Sequence, residues 1–245
     1  MDGIESKTLA QIVIAEPEAA AVFEKYALDF CCKGKQTLTD ACAAAELDIK
    51  KVVRDLDAAA KKVDKNHPPE HFEKMELDAL VNHLLQHHHT YMKRSMPIIH
   101  GHLQKIAGVH GERHPELIEI AGLFDQMQMD LEQHLLKEEE VLFPYVKKLV
   151  QAKHESDHHH FNKTHFIANP ISVMMNEHER AGELMDMIHE KSGGFDLPED
   201  ACATYKAAYH ELEVFEKDLH LHVHLENNIL FPKAKALENV LFLVS

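Results

Sequence analysis

A chain of 245 residues, 45% of them hydrophobic, is long enough for one large domain or two smaller ones with a substantial core. Its formal net charge of −15, from 41 acidic against 26 basic side chains with no long basic run, argues against nucleic acid and anionic membrane as partners. The N-terminus lacks a secretory signal, no apolar run has a transmembrane length, and the four cysteines are too unevenly placed for a disulfide framework, so a cytoplasmic protein with reduced thiols is expected.

With nine glycines and long stretches rich in Ala, Leu, Met, Glu and Lys, the chain reads as helical almost throughout. Four short helices are predicted over 5–15, 17–28, 36–45 and 48–64. Between the second and third lies DFCCKGK, where Cys31 and Cys32 are adjacent in a turn before Gly34. Lys33 and Lys35 are expected to favour a reactive thiolate there, and Gly34 to supply a positive φ. Cys42 and Cys202 read as packing residues in Ala-rich helices.

The segment NHPPE at 66–70 interrupts helix, because consecutive prolines remove backbone donors and restrict the preceding residue. It divides the sequence into a small helical domain, 1–66, and a larger one, 71–245. The larger one carries four long predicted helices, 72–107, 114–150, 170–191 and 198–236, which suit an all-α, up-down-up-down four-helix bundle. The connection at 151–169 is polar and rich in histidine, including His154, His158, His159, His160 and His165, and reads as an exposed loop. The closing ENVLFLVS is an apolar tail without an assigned role.

Histidine is the compositional outlier, with 22 copies. In the second bundle helix, HLLKEEEVLFP (134–144) places His134 and Glu138 on the face that leucines occupy, since residues four apart share a helix face. HVHLENNILFP (222–232) repeats the pattern, so that His222 and Glu226 match His134 and Glu138. Another histidine precedes each copy at a similar distance: His178 before His222, and His88 or His89 before His134. The apolar stripe of the first helix is centred nearer His88, and the repeat offset admits either residue.

Four imidazoles and two carboxylates from the four helices of a bundle exceed the ligand set of a structural zinc ion and suit a pair of non-haem irons bridged by the carboxylates, with positions left open. Ligand type alone also admits manganese. A core of hydrogen-bonded histidines without metal is the bland alternative, and six buried polar groups make it costly. Glu177 and Asp130 are candidate partners of the ligand imidazoles. Pro144 and Pro232 are expected to free the carbonyls of Glu140 and Asn228 and to kink their helices.

The bundle half resembles the hemerythrin-like domain. The strings HERAGEL (178–184) and LENNILFP (225–232), together with DFCCKGKQTL (29–38), resemble the bacterial iron–sulfur cluster repair di-iron family, of the ScdA/YtfE type, across both halves of the chain. The resemblance implies metal ligands His89, His134, Glu138, His178, His222 and Glu226. His89 is selected over His88 because the family's first-helix pattern ends in a proline eight residues after the ligand, here Pro97. It further implies two iron ions bridged by carboxylate and an oxo group, and repair of iron–sulfur clusters damaged by nitric oxide or oxidative stress, by iron donation. Partners would be damaged or apo iron–sulfur proteins and nitric oxide, oxygen or peroxide. Any catalysis would be redox chemistry of these small molecules. The small domain, with Cys31 and Cys32 as redox or iron-transfer thiols, would assist delivery or contact the client or a second copy of the chain. The rival readings are an oxygen or nitric oxide sensor and an iron storage or scavenging module.

Overall fold

A computed structural model describes residues 3–62, 71–155 and 167–244, and among these every regular element is helical. The predicted boundary at 66–70 and His158, His159, His160 and His165 lie outside the described residues.

The N-terminal helices are α1 (Leu9–Ala15), α2 (Ala19–Lys25), α3 (Leu38–Ala44) and α4 (Ile49–Lys62). Thr8 starts α1 with a reciprocal cap, its hydroxyl accepting from the Gln11 N–H while the Gln11 side chain accepts from the Thr8 N–H. Thr37 caps α3 by accepting from the Asp40 N–H. The two caps are tied together, because the Leu9 N–H donates to the Gln36 carbonyl and the Leu38 N–H to the Lys7 carbonyl, each at 2.9 Å. The cysteine segment is the connection between α2 and α3, anchored at both ends by these helices.

Four long helical arms follow. The first is α5 (Leu77–Leu84), a π-helical turn at Leu85–His89 and α6 (Thr90–His110). The second is α7 (Glu116–Lys137), a π-turn at Glu138–Leu142 and α8 (Phe143–Glu155). The third is α9 (Ala168–Lys191), and the fourth is α10 (Ala203–Leu225), a π-turn at Glu226–Leu230 and α11 (Phe231–Val244). The apolar tail is therefore the end of the fourth arm, with Leu241 buried, and His154 is exposed near the end of α8.

Two of the π-turns stand directly ahead of Pro144 and Pro232. Pro144 has no N–H to offer the Glu140 carbonyl. The backbone widens instead, and the Phe143 N–H donates five residues back to the Glu138 carbonyl. The Phe231 N–H does the same to Glu226 ahead of Pro232. Such one-turn insertions recur at functional sites, and two of the three here begin on the repeated glutamates while the third, Leu85–His89, ends on His89.

The apolar core is in two parts. One cluster fills the bundle between Met92, Ile106, Phe124, Leu135, Met185 and Phe215 and runs on into the small domain through Phe23, Phe30 and Leu38. The other fills the opposite end between Leu80, Phe143, Ile171 and Phe231. The bundle histidines and glutamates of the repeat occupy the level between them. No helix among the described residues is long and apolar enough to cross a membrane.

Candidate metal centre

At that level the Nε2 atoms of four histidines turn inward. His89, Glu138, His222 and Glu226 bring one ligand atom each to within 4.8 Å of one another, and so do His134, Glu138, His178 and Glu226. The two groups share both glutamates. Glu138 Oε2 lies 3.4 Å from the Nε2 atoms of His89 and His134, and Glu226 lies 3.1 Å from those of His178 and His222. All six residues are at most 1% exposed.

The tautomers follow from what the other ring nitrogens do. The His89 Nδ1–H donates to Glu139 at 2.8 Å, and Lys93 holds the same carboxylate at 2.6 Å. The His134 Nδ1–H donates to Glu177 at 2.9 Å, and Lys137 holds that carboxylate from outside. The His178 Nδ1–H donates to the Asn227 side-chain oxygen at 3.0 Å. A proton fixed on Nδ1 leaves the Nε2 lone pair for the centre. Burial holds the His89 and His134 imidazoles down to about pKa 4, so both are neutral at neutral pH. The His134 contact, with Lys137, holds Glu177 down to about 2 despite its partial burial.

The carboxylates show what is missing from a purely hydrogen-bonded core. Among the described residues, both oxygens of Glu138 and both of Glu226 are buried without a hydrogen-bond donor, as are the Nε2 atoms of His89 and His222. A buried acceptor left unpaired costs roughly 1–3 kcal/mol, more when charged. Burial, and after it the charge of Glu226, pushes the Glu138 carboxyl well above its ordinary range. Burial opposes ionisation of Glu226 too, and only a His222 or His178 ring carrying a proton on Nε2 holds its carboxyl well below that range. Acceptors converging on one dry space without donors are a donor set for cations, and mixed imidazole and carboxylate ligands suit iron.

Of the candidates named from sequence, His89 falls within the first group and His88 in neither. His88 stacks on the His222 ring at 5.6 Å and its Nδ1 meets Asp218 at 3.0 Å. Glu177 serves His134 across the bundle, not its neighbour His178, and Asp130 instead pairs with Arg180 at 3.0 Å. Glu139 and Asn227 were not singled out from sequence. Each directly follows a repeated glutamate, and that adjacency was the available signal.

Cys31 and Cys32 stand apart from the bundle centre. Their thiols are 3.8 Å apart, and Asp29 accepts from both backbone N–H groups and from the Cys31 thiol. The expected thiolate is not favoured, since the Cys32 hydrogen bond, burial and the Asp29 charge push the Cys31 thiol well above its ordinary value, while Lys33 and Lys35 are exposed. Gly34 does not have a positive φ; a Cβ there would lie 2.4 Å from the Phe30 carbonyl oxygen, and close packing is what requires the glycine. Cys42 is buried, whereas Cys202 is exposed at the start of α10, contrary to the expected packing role.

Residues 5–60 match the ScdA_N family model, described as a domain of unknown function, and residues 80–234 match the hemerythrin HHE cation binding domain. The chain is 32% identical over 229 residues to the iron-sulfur cluster repair protein YtfE of Enterobacter sp. (strain 638), covering 93% of this chain and 96% of that protein. The proteins of the same name from Citrobacter koseri and Escherichia coli O157:H7 are 31% identical with the same coverage.

Proposed function

The chain belongs to the family of YtfE-type iron–sulfur cluster repair proteins, and from that premise we propose that it holds two iron ions between His89, His134, Glu138, His178, His222 and Glu226 and returns iron to damaged clusters. The observation that carries the ligand assignment is the set of four buried carboxylate oxygens, without donors, between four inward-facing imidazoles. Each ion has two imidazoles and two shared carboxylates within reach, which leaves coordination positions for an exogenous ligand.

Iron bound there supplies an exchangeable ion and redox chemistry toward nitric oxide, oxygen or peroxide. The protein's own part is positional. Glu139, Glu177 and Asn227 fix three imidazoles in the ligating tautomer, and outer carboxylates of this kind raise ligand basicity. Lys93 and Lys137 compensate the two outer carboxylates from the surface. The apolar clusters above and below keep the centre out of water. Apo or damaged iron–sulfur enzymes of the cytoplasm are the clients, in keeping with four free cysteines.

The test is to incubate the iron-loaded protein anaerobically with a [4Fe–4S] dehydratase inactivated by nitric oxide or peroxide. Recovery of dehydratase activity with matching loss of iron from the donor is expected, and the Glu138→Ala/Glu226→Ala protein should give none. Absence of both recovery and iron transfer overturns the repair reading. Retention of two irons after His134→Ala/His222→Ala overturns the ligand assignment.

A further inference from the structure

Between the small domain and the bundle lies a cavity of about 360 Å³, walled by the cysteine segment on one side and by α9 and α10 on the other. Six carboxylates line it against one lysine, Lys33. Two of them are taken by imidazoles, Glu216 by His189 at 2.9 Å and Glu24 by His220 at 2.8 Å. A concave site with low-dielectric walls and an excess of one charge sign concentrates ions of the other sign. The cavity therefore suits a small cation and is a poor site for an anionic thiol or phosphate.

On its wall, Asp29, Cys31 and Cys32 bring a carboxylate oxygen and two sulfurs within 4.8 Å of one another. The Asp29 carboxylate fixes the turn by accepting the Cys31 and Cys32 N–H groups at 3.1 and 2.8 Å, and this sets both thiols on one side. The sulfurs are 3.8 Å apart and the Cys31 sulfur is 3.2 Å from the carboxylate. A tetrahedral ion with metal–sulfur bonds of about 2.3 Å holds two sulfurs about 3.8 Å apart, so this pair already has the spacing of a chelate edge. Gly182 on α9 leaves room opposite, since a Cβ there would come within 3.8 Å of the Cys32 sulfur.

We propose that Asp29, Cys31 and Cys32 form a second cation site, distinct from the bundle centre, that takes one thiophilic divalent ion. Binding replaces the two thiol protons by the ion, with no change of oxidation state: two metal–sulfur bonds form, two S–H bonds break, and two protons leave to solvent. Asp29 supplies the third ligand or its charge, and water completes the set. Asn227 links the site to a ligand imidazole of the bundle. Asn227 lines the same cavity, donates to the Cys31 carbonyl at 3.3 Å and accepts from His178 at 3.0 Å. Only the identity of the natural ion, ferrous iron in passage to or from the bundle, rests on the repair reading.

The experiment uses the full chain loaded with two irons, kept anaerobic and reduced, and titrated with Co²⁺ as a coloured thiolate-binding probe while iron content is read on the same sample. One equivalent of cobalt should bind with a sulfur-to-cobalt charge-transfer band in the near ultraviolet, release two protons and leave both irons in place. In Cys31→Ser/Cys32→Ser the band and the extra equivalent should vanish with iron unchanged. Asp29→Asn should weaken cobalt binding by about 10- to 100-fold, the usual effect of losing a supporting carboxylate at a metal site. No charge-transfer band in the parent protein, an undiminished extra equivalent in the double variant, or cobalt uptake only with loss of iron overturns the proposal. A sample that never held two irons would instead count against the repair reading, so the two failures are distinguishable.

Discussion

Three of the four inward imidazoles have an oxygen acceptor on Nδ1, whereas the Nδ1 of His222 is buried without a partner among the described residues. The group formed with His134 and His178 is thus supported on both imidazoles, and the group formed with His89 and His222 on one. Supporting partners of ligating imidazoles are worth about 10- to 100-fold in metal affinity. A strong chelator should therefore remove iron in two phases of equal amplitude, the faster one from the His89–His222 side. Asn227→Ala strips the support from His178 and should accelerate the slow phase by about 10-fold or more; stopped-flow absorbance of the chelator complex resolves both. A single slow phase in the parent and the variant alike would contradict this ranking. The pairs His134/Glu138 and His222/Glu226 were legible in the sequence because His-x-x-x-Glu places two side chains on one helical face and the pattern recurs. The outer partners were harder to read, because Glu139 reaches His89 and Glu177 reaches His134 across the bundle, and helical spacing carries no information about neighbours on other helices.

At the scale of elements, the choice between His88 and His89 has a physical explanation. Leu77, Val81, Leu84 and His88 follow one 3.6-residue stripe, while His89, Met92, Met96 and Ile99 follow another shifted by one residue, and all eight are buried. The π-turn at Leu85–His89 inserts the extra residue that joins the two stripes. A wheel drawn at constant pitch cannot show that insertion, which is why periodicity pointed to His88. Proline marked the other two insertions in the sequence without revealing that the backbone would widen into a π-turn there. The turn at Gly34 makes a sharper test of packing. A Cβ there would meet the Phe30 carbonyl at 2.4 Å and the Ala10 Cβ at 2.9 Å, and the carbonyl cannot rotate away as a side chain can. Gly34→Ala should lower stability by about 1–3 kcal/mol, the usual cost of overpacking, as read by chemical denaturation. An unchanged midpoint would mean that the cysteine segment is not seated as described.

Across the whole molecule, the small domain is held to the bundle by contacts that no periodic pattern announces. Asn228 donates to the Phe30 and Cys31 carbonyls, and the His224 ring packs on Phe30 at 5.4 Å. Helix content was readable from composition, whereas this docking depends on single side chains on α10 and its π-turn. Burial holds the His224 imidazole down to about pKa 4, below its ordinary 6.5. The unfolded chain therefore takes up that proton first, and the contribution of His224 is complete above about pH 6.5 and is lost as the pH falls toward 4. His224→Asn should flatten the acid limb of the stability curve measured by urea denaturation across that window. The metal should matter more. An ion present at 100 times its dissociation constant stabilises the folded chain by about 2.7 kcal/mol, and a domain of this size gains roughly 2–4 °C in Tm per kcal/mol. Two such ions give about 5.4 kcal/mol, so removing both irons should lower Tm by roughly 11–22 °C in differential scanning calorimetry.

The repair function itself is tested most directly by following the metal. The protein loaded with ⁵⁷Fe is mixed anaerobically with a damaged [4Fe–4S] dehydratase, the two are separated, and the dehydratase is examined by Mössbauer spectroscopy. A [4Fe–4S] signal carrying ⁵⁷Fe, in proportion to the activity regained, is the expected result. Regained activity with no ⁵⁷Fe in the cluster, or ⁵⁷Fe remaining wholly with the donor, would contradict iron donation from the centre held by His89, His134, Glu138, His178, His222 and Glu226.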